Sequence, residues 1–125
     1  NGVTEILSPV GIGELRLLLP SLQEAKSEDR LTAFIAPRGL ITPEAIVDQG
    51  FDLNNVLVVY PSDHKDTLWA AEQCLRGGTC HSVLLWTEQA FEIHQIKRLQ
   101  VACDTGNAKT FIIQVLGLKP PTFSR

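Results

Sequence analysis

Methionine is absent from the 125 residues, tyrosine occurs once, and aromatic residues make up only 6% of the chain. Aromatics this sparse, with no basic residues interleaved among them, supply no stacking platform for single-stranded nucleic acid. The 11 basic and 14 acidic residues leave a formal charge of −3, so there is no basic face for a phosphate backbone either, and no nucleic-acid partner is expected. No apolar run approaches the roughly 20 residues of a membrane span. No basic-then-apolar leader opens the chain. A cytoplasmic protein without a membrane partner is the expectation. A chain that opens on Asn1 without methionine reads as a trimmed product, and a missing terminus could hide a targeting or degradation signal.

Cysteine is scarce as well. Cys74, Cys80 and Cys103 are odd in number and lack Cys-x-x-Cys spacing, which suits a reducing compartment. Cys74, Cys80 and His81 find no fourth ligand at finger-like spacing, so no metal is expected.

A further absence falls in the segment Ser8-Pro9-Val10-Gly11-Ile12-Gly13-Glu14-Leu15-Arg16. It lies between an apolar start and a helix-like run, where an ATP-binding α/β domain carries its phosphate loop. That loop needs lysine and a hydroxyl after its last glycine, to neutralise the phosphates and to bind Mg²⁺. Here Glu14 follows Gly13, and a carboxylate repels a triphosphate. No nucleotide cofactor is expected.

What is present is a core. Hydrophobic residues make up 44% of a length sufficient for one domain. Short β-like runs alternate with helix-like runs, which predicts a parallel sheet flanked by helices. The strand expectations are Thr4 to Leu7, Leu31 to Ala36, Val56 to Tyr60, Ser82 to Trp86 and Lys109 to Val115. Val56 to Tyr60, apolar on both faces, reads as a central strand. A helix is expected from Glu14 to Ala25, kinked or shortened at Pro20. A second, short helix has Thr42 as N-cap, Pro43 in first place and Gly50 as its stop. Ser62 or Asp63 caps a third, with Leu68, Ala71 and Leu75 on one apolar face and Gly77-Gly78 closing it. Thr87 or Glu88 starts a long fourth, running to about Asp104, with Ile93, Ile96, Leu99 and Cys103 inward and Gly106 as its stop. Residues 1–118 are expected to form the domain and 119–125, with Pro120-Pro121, an extended tail.

The stretch from Val47 through Gly50-Phe51-Asp52-Leu53, Tyr60-Pro61-Ser62 and Gly77-Gly78 to Val83-Leu84-Leu85-Trp86-Thr87 resembles the central part of the RecA fold. That family carries a magnesium-associated aspartate at the end of the second such strand, whereas this chain has Trp86-Thr87. Within that superfamily the chain resembles the SulA family of SOS-induced inhibitors of bacterial cell division. The resemblance runs from about Glu14 to Gln114. It is carried by Leu17-Leu18-Leu19-Pro20-Ser21-Leu22-Gln23, Arg30-Leu31, Pro37, Gly50-Phe51-Asp52-Leu53, Leu75-Arg76-Gly77-Gly78 with the strand to Trp86, and Gly106-Asn107-Ala108 before Phe111-Ile112.

The resemblance implies a RecA-like three-layer domain, without catalysis, that binds the tubulin-like GTPase FtsZ. It implies docking on the face carrying the FtsZ T7 loop, a block to protofilament assembly, and turnover by the protease Lon. Parallel sheets present partners at the carboxyl ends of their strands. Arg38, Leu40, Lys65 and Phe91 follow those ends and are candidate contacts. Arg30 joins them because the family has an important arginine there and the FtsZ T7 region is acidic. Arg30→Glu is therefore expected to weaken partner binding and leave the far-ultraviolet dichroism unchanged. Phe91 sits off the helical stripe and reads as a partly exposed anchor. Trp86 reads as core, Trp69 as a helix-edge or self-association residue, and His94 as surface. Asp63-His64 and His81-Ser82 hold residue types of a hydrolase, but neighbours in sequence do not make a triad, and no nucleophile-elbow motif is present.

Alternatives are a non-catalytic accessory protein of a RecA-like repair or mutagenesis complex, and a nucleotidase with an unusual loop. A homodimer is the expected assembly.

Overall fold

The computed structural model describes residues 2–8, 19–37 and 42–115. The glycine-containing segment after Ser8, Arg38, Leu40 and the tail from Lys119 lie outside the described residues. The elements are β1 (Val3–Ser8), α1 (Leu19–Ser27), β2 (Leu31–Ile35), α2 (Pro43–Asp48), a 3-10 turn (Leu53–Asn55), β3 (Val56–Val59), α3 (His64–Arg76), β4 (Cys80–Thr87), α4 (Ile93–Gly106) and β5 (Lys109–Val115).

The five strands form one all-parallel sheet in the order β1-β5-β4-β2-β3. From β1 through β2 to β3 the chain steps toward one edge; from β3 through β4 to β5 it steps back. Right-handed crossovers then place α1 and α2 on one face and α3 and α4 on the other. Side chains alternate across the sheet and feed two apolar layers. On one face, Leu68, Ala71 and Leu75 of α3 and Leu99, Ala102 and Cys103 of α4 pack with Ala33, Ile35, Val83, Leu85 and Ile112. On the other, Ile46 of α2 and Phe51 pack with Phe34, Leu84, Trp86, Phe111 and Ile113. The Phe34 ring meets Phe51 edge-on at 5.1 Å and Trp86 at 5.7 Å. β4 is the middle strand, and all eight of its residues are buried.

Local chemistry explains most boundaries. Pro20 occupies the first turn of α1, where a missing N–H costs nothing. Thr42 Oγ1 accepts from Ala45 N at 3.1 Å and caps α2. Asp63 Oδ1 accepts from Asp66 N at 2.8 Å and caps α3. Gly50 turns the chain after α2 with a φ of 99°, a conformation that favours glycine.

Four expectations are corrected. β3 is an edge strand, not a central one, and Leu57 on it is exposed. A continuous apolar run thus came from one face packing on α2 and the other lying at the rim of the α3 layer. The fourth helix starts at Ile93, not at Thr87 or Glu88. Thr87 Oγ1 donates to Gln89 O and accepts from Gln89 N, which closes a turn and delays the helix. Glu92 then supplies a capping box, its N–H donating to Gln95 Oε1 at 2.8 Å. Ile93, expected inward, is 76% exposed because it opens the first turn on the solvent side. Finally, Gly106 is not the left-handed stop. Asn107 takes that conformation at φ 52°, and Gly106 is the last residue of the helix, buried against α3.

Candidate functional site

β2 leaves the sheet toward α2 on one face, and its neighbour β4 leaves toward α4 on the other. Adjacent strands that part this way open a crevice at their carboxyl ends. A cleft of about 300 Å³ lies there, lined by Ala36 after β2, His64 and Thr67 of α3, and Thr87, Glu88 and Gln89 after β4. Ala36 holds a left-handed φ of 58°, an uncommon conformation for alanine, and its N–H donates to Val59 O at 2.8 Å. The hydroxyl of Thr87 is spent on Gln89, as described above. The end of β4 thus presents a neutral side chain folded into its own loop.

Lys65 is exposed in the first turn of α3, at this carboxyl end of the sheet. Phe91 is corrected: it is 8% exposed and belongs to the α3–α4 layer. Its ring stacks on His64 at 4.8 Å, with the planes 25° apart. A loop residue off the helical stripe has become core because the delayed start of α4 lets the loop fold inward. Phe91 therefore props the rim of the cleft from below. Trp86 is buried, as its strand position implies; Trp69 is exposed on α3, and His94 is exposed on α4.

Arg30 lies at the opposite end of the sheet, just before β2, so the predicted contacts do not share one surface. Its side chain is 15% exposed, and all five guanidinium N–H donors are used. Nε donates to Gly78 O at 3.0 Å, and Nη2 to Cys80 O at 2.8 Å and Gly106 O at 2.9 Å. Nη1 donates to Asn107 O at 2.9 Å and to Glu28 Oε1 at 3.2 Å. The arginine ties the start of β2 to the α3–β4 turn and the end of α4. With this geometry, charge reversal at Arg30 is expected to cost stability as well as any partner contact.

The hydrolase residue types stay apart. Asp63 caps α3 at the carboxyl end of the sheet, while His81 Nδ1 lies 2.7 Å from Ser82 Oγ at the amino end. Near that end, a hydrogen bond from the buried Cys80 thiol lowers the pKa of Cys74 to about 7, against the opposing effect of its own burial. Cys80 is correspondingly raised. Cys74 is accordingly expected to react with iodoacetamide with a pH midpoint near 7. A midpoint at the ordinary thiol value, read by mass spectrometry across a pH series, would break the thiol pairing.

Sequence reasoning missed the Arg30 clamp, the His64–Phe91 stack and the close approach at Gly106. Each joins residues far apart in the chain, and no local pattern announces them.

The topology and the strand-end cleft define the class: a doubly wound, all-parallel α/β domain. The family model for the cell division inhibitor SulA matches residues 8–110, and the chain belongs to that family. It is 29% identical over 98 residues to the cell division inhibitor SulA of Citrobacter koseri, and 26% identical over 98 residues to that of Cronobacter sakazakii. Each match covers 78% of this chain and 58% of the relative; the chain thus spans somewhat over half the length of these relatives. The crystal structure of SulA from Pseudomonas aeruginosa is similar with a TM-score of 0.75 and 27% identity, covering 90% of this chain and 97% of that one.

Proposed function

We propose that this chain inhibits bacterial cell division by binding FtsZ on the face that carries its T7 loop, within the SOS response to DNA damage. The observation that carries the reading is the family match over residues 8–110, which spans the four described helices and strands β2, β3 and β4. Protofilaments grow by docking the T7 face onto the nucleotide face of the next subunit. A molecule seated on that face denies the next subunit its place and needs no covalent chemistry.

The surface proposed for this contact is the carboxyl end of the sheet. Lys65 is exposed there, and the His64–Phe91 stack supports the rim. Arg38 and Leu40 follow β2 in the sequence and complete the proposed set. The exposed cation of Lys65 suits an acidic partner and speeds encounter. Cytoplasmic location, turnover by Lon and a homodimer belong to the same proposal.

The test is sedimentation of purified FtsZ with GTP. Pelleting is expected to fall in proportion to added protein, and Lys65→Glu is expected to raise the concentration needed roughly tenfold. Full pelleting of FtsZ at excess wild-type protein would end the reading. Unaltered potency of Lys65→Glu would move the contact away from the strand ends.

A further inference from the structure

We propose that Glu24, Glu28 and His81 bind a divalent transition-metal cation of the zinc class, at the amino end of the sheet. Glu24 lies on α1 and Glu28 directly follows its last residue, Ser27; Glu28 N still donates to Glu24 O at 3.1 Å, so the two carboxylates sit one turn apart on the same side. His81 is the second residue of β4 and falls where the β2–β4 register slips, between the pairs Leu31↔Cys80 and Thr32↔Ser82. The slip makes it an extra residue in its strand and aims its ring at α1.

The ring is 96% withdrawn from solvent, with only 4% exposed. Its Nδ1 is 2.7 Å from the hydroxyl of the fully buried Ser82. Nε2 has no hydrogen-bond partner among the described residues. The nearest acceptors are Glu24 Oε1 at 3.7 Å and Glu28 Oε2 at 4.0 Å, both beyond hydrogen-bond reach. The second nitrogen of a buried imidazole ring thus faces two carboxylate oxygens with a gap between them, and the three atoms lie within 4.8 Å of one another. Tetrahedral zinc with bonds of about 2 Å sets its ligand atoms roughly 3.3 Å apart. The two glutamate side chains are exposed, so the remaining contraction is a matter of their rotamers.

The surroundings suit ligands rather than a simple ion pair. When Nδ1–H donates to Ser82 Oγ, the tautomer is set and Nε2 presents its lone pair. The remote oxygen of each carboxylate has a cation of its own. Glu28 Oε1 accepts from Arg30 Nη1 at 3.2 Å, and Glu24 Oε2 is 3.8 Å from Lys109 Nζ. This leaves Oε1 of Glu24 and Oε2 of Glu28 turned toward the imidazole. One imidazole and two carboxylates suit zinc and its first-row neighbours, not soft ions that demand thiolate. Cys103 borders the same cleft of about 380 Å³, but its Sγ lies 3.1 Å from Thr110 Oγ1. Three protein ligands leave a fourth position open to the cleft. A bound ion would staple α1 to β4.

The experiment is calorimetric titration of the chelator-treated protein with Zn²⁺ alone, with thermal melts alongside and Co²⁺ as a spectroscopic probe. One Zn²⁺ per chain is expected, with a higher melting temperature and a Co²⁺ spectrum free of thiolate charge transfer. The doubly substituted variant Glu24→Gln plus Glu28→Gln, changed only at exposed positions, is expected to bind at least about tenfold more weakly and to lose the thermal shift. His81→Gln is a weaker probe because the ring is buried. Absence of saturable binding to the wild type, equal affinity in the double variant, or a thiolate band pointing to Cys74 and Cys80 would each overturn the proposal. None of these outcomes depends on FtsZ.

Discussion

Alanine at position 106 is expected to cost the domain about 3 kcal/mol or more. Gly106 ends α4 against the backbone of α3. A Cβ there would overlap Leu75 O and lie 2.7 Å from Leu75 C. The obstacle is main chain, not the far end of a flexible side chain, so a whole helix must move to relieve it. Moving α4 would loosen Leu99, Ala102 and Cys103 from their layer and withdraw Gly106 O from Arg30. Urea unfolding reads the effect as a fall of roughly 1–2 M in midpoint. A midpoint within experimental error of the wild type would mean that α3 and α4 are not in such close contact.

Arg30→Ala is expected to cost about 2–4 kcal/mol, since hydrogen bonds to a charged group are the stronger kind and partly buried carbonyls are left without their donor. The losses do not add, because the four carbonyls are held by one planar group. Arg30→Lys is expected to recover little, as an ammonium cannot reach four carbonyls in the plane of a fork. The ion pair with Glu28 is a small part of this, its carboxylate being 42% exposed. The decisive comparison is stability against inhibition of FtsZ assembly in the same variants. If Arg30→Ala unfolds at the wild-type midpoint yet no longer inhibits, the arginine contacts the partner. If inhibition falls only as far as the folded fraction falls, the clamp is its role. Gly106→Ala and Arg30→Ala share the Gly106 carbonyl, so their combined cost is expected to be less than the sum.

The strand and helix sequence was legible because it rests on local chemistry. Thr42-Pro43, the capping aspartate at 63, the i, i+3, i+7 face of Leu68, Ala71 and Leu75, and the apolar run at Ser82–Trp86 all report on their own neighbourhood. What failed was whatever depended on a distant element. Val56–Val59 looks central by composition, and only the sheet order shows it at the rim. Phe91 looks loose by periodicity, and only the stack with His64 shows it buried. Gly106 looks like punctuation, although its absent side chain answers to Leu75, across a helix interface. The candidate site was less legible for the same reason. Arg30 and Lys65 carry the same charge, and nothing in their flanks says that one faces inward at the foot of the sheet and the other outward at its head.

Among the described strands β1 pairs only with β5, in register from Val3↔Thr110 to Ser8↔Val115. During synthesis β1, made before the other described strands, therefore has no seat until β5 leaves the ribosome. A chain stalled anywhere before Lys109 carries an unclaimed ribbon of backbone donors and acceptors in β1, open to chaperones and to proteases. The described sheet cannot close from the front; the arrival of β5 is what completes it.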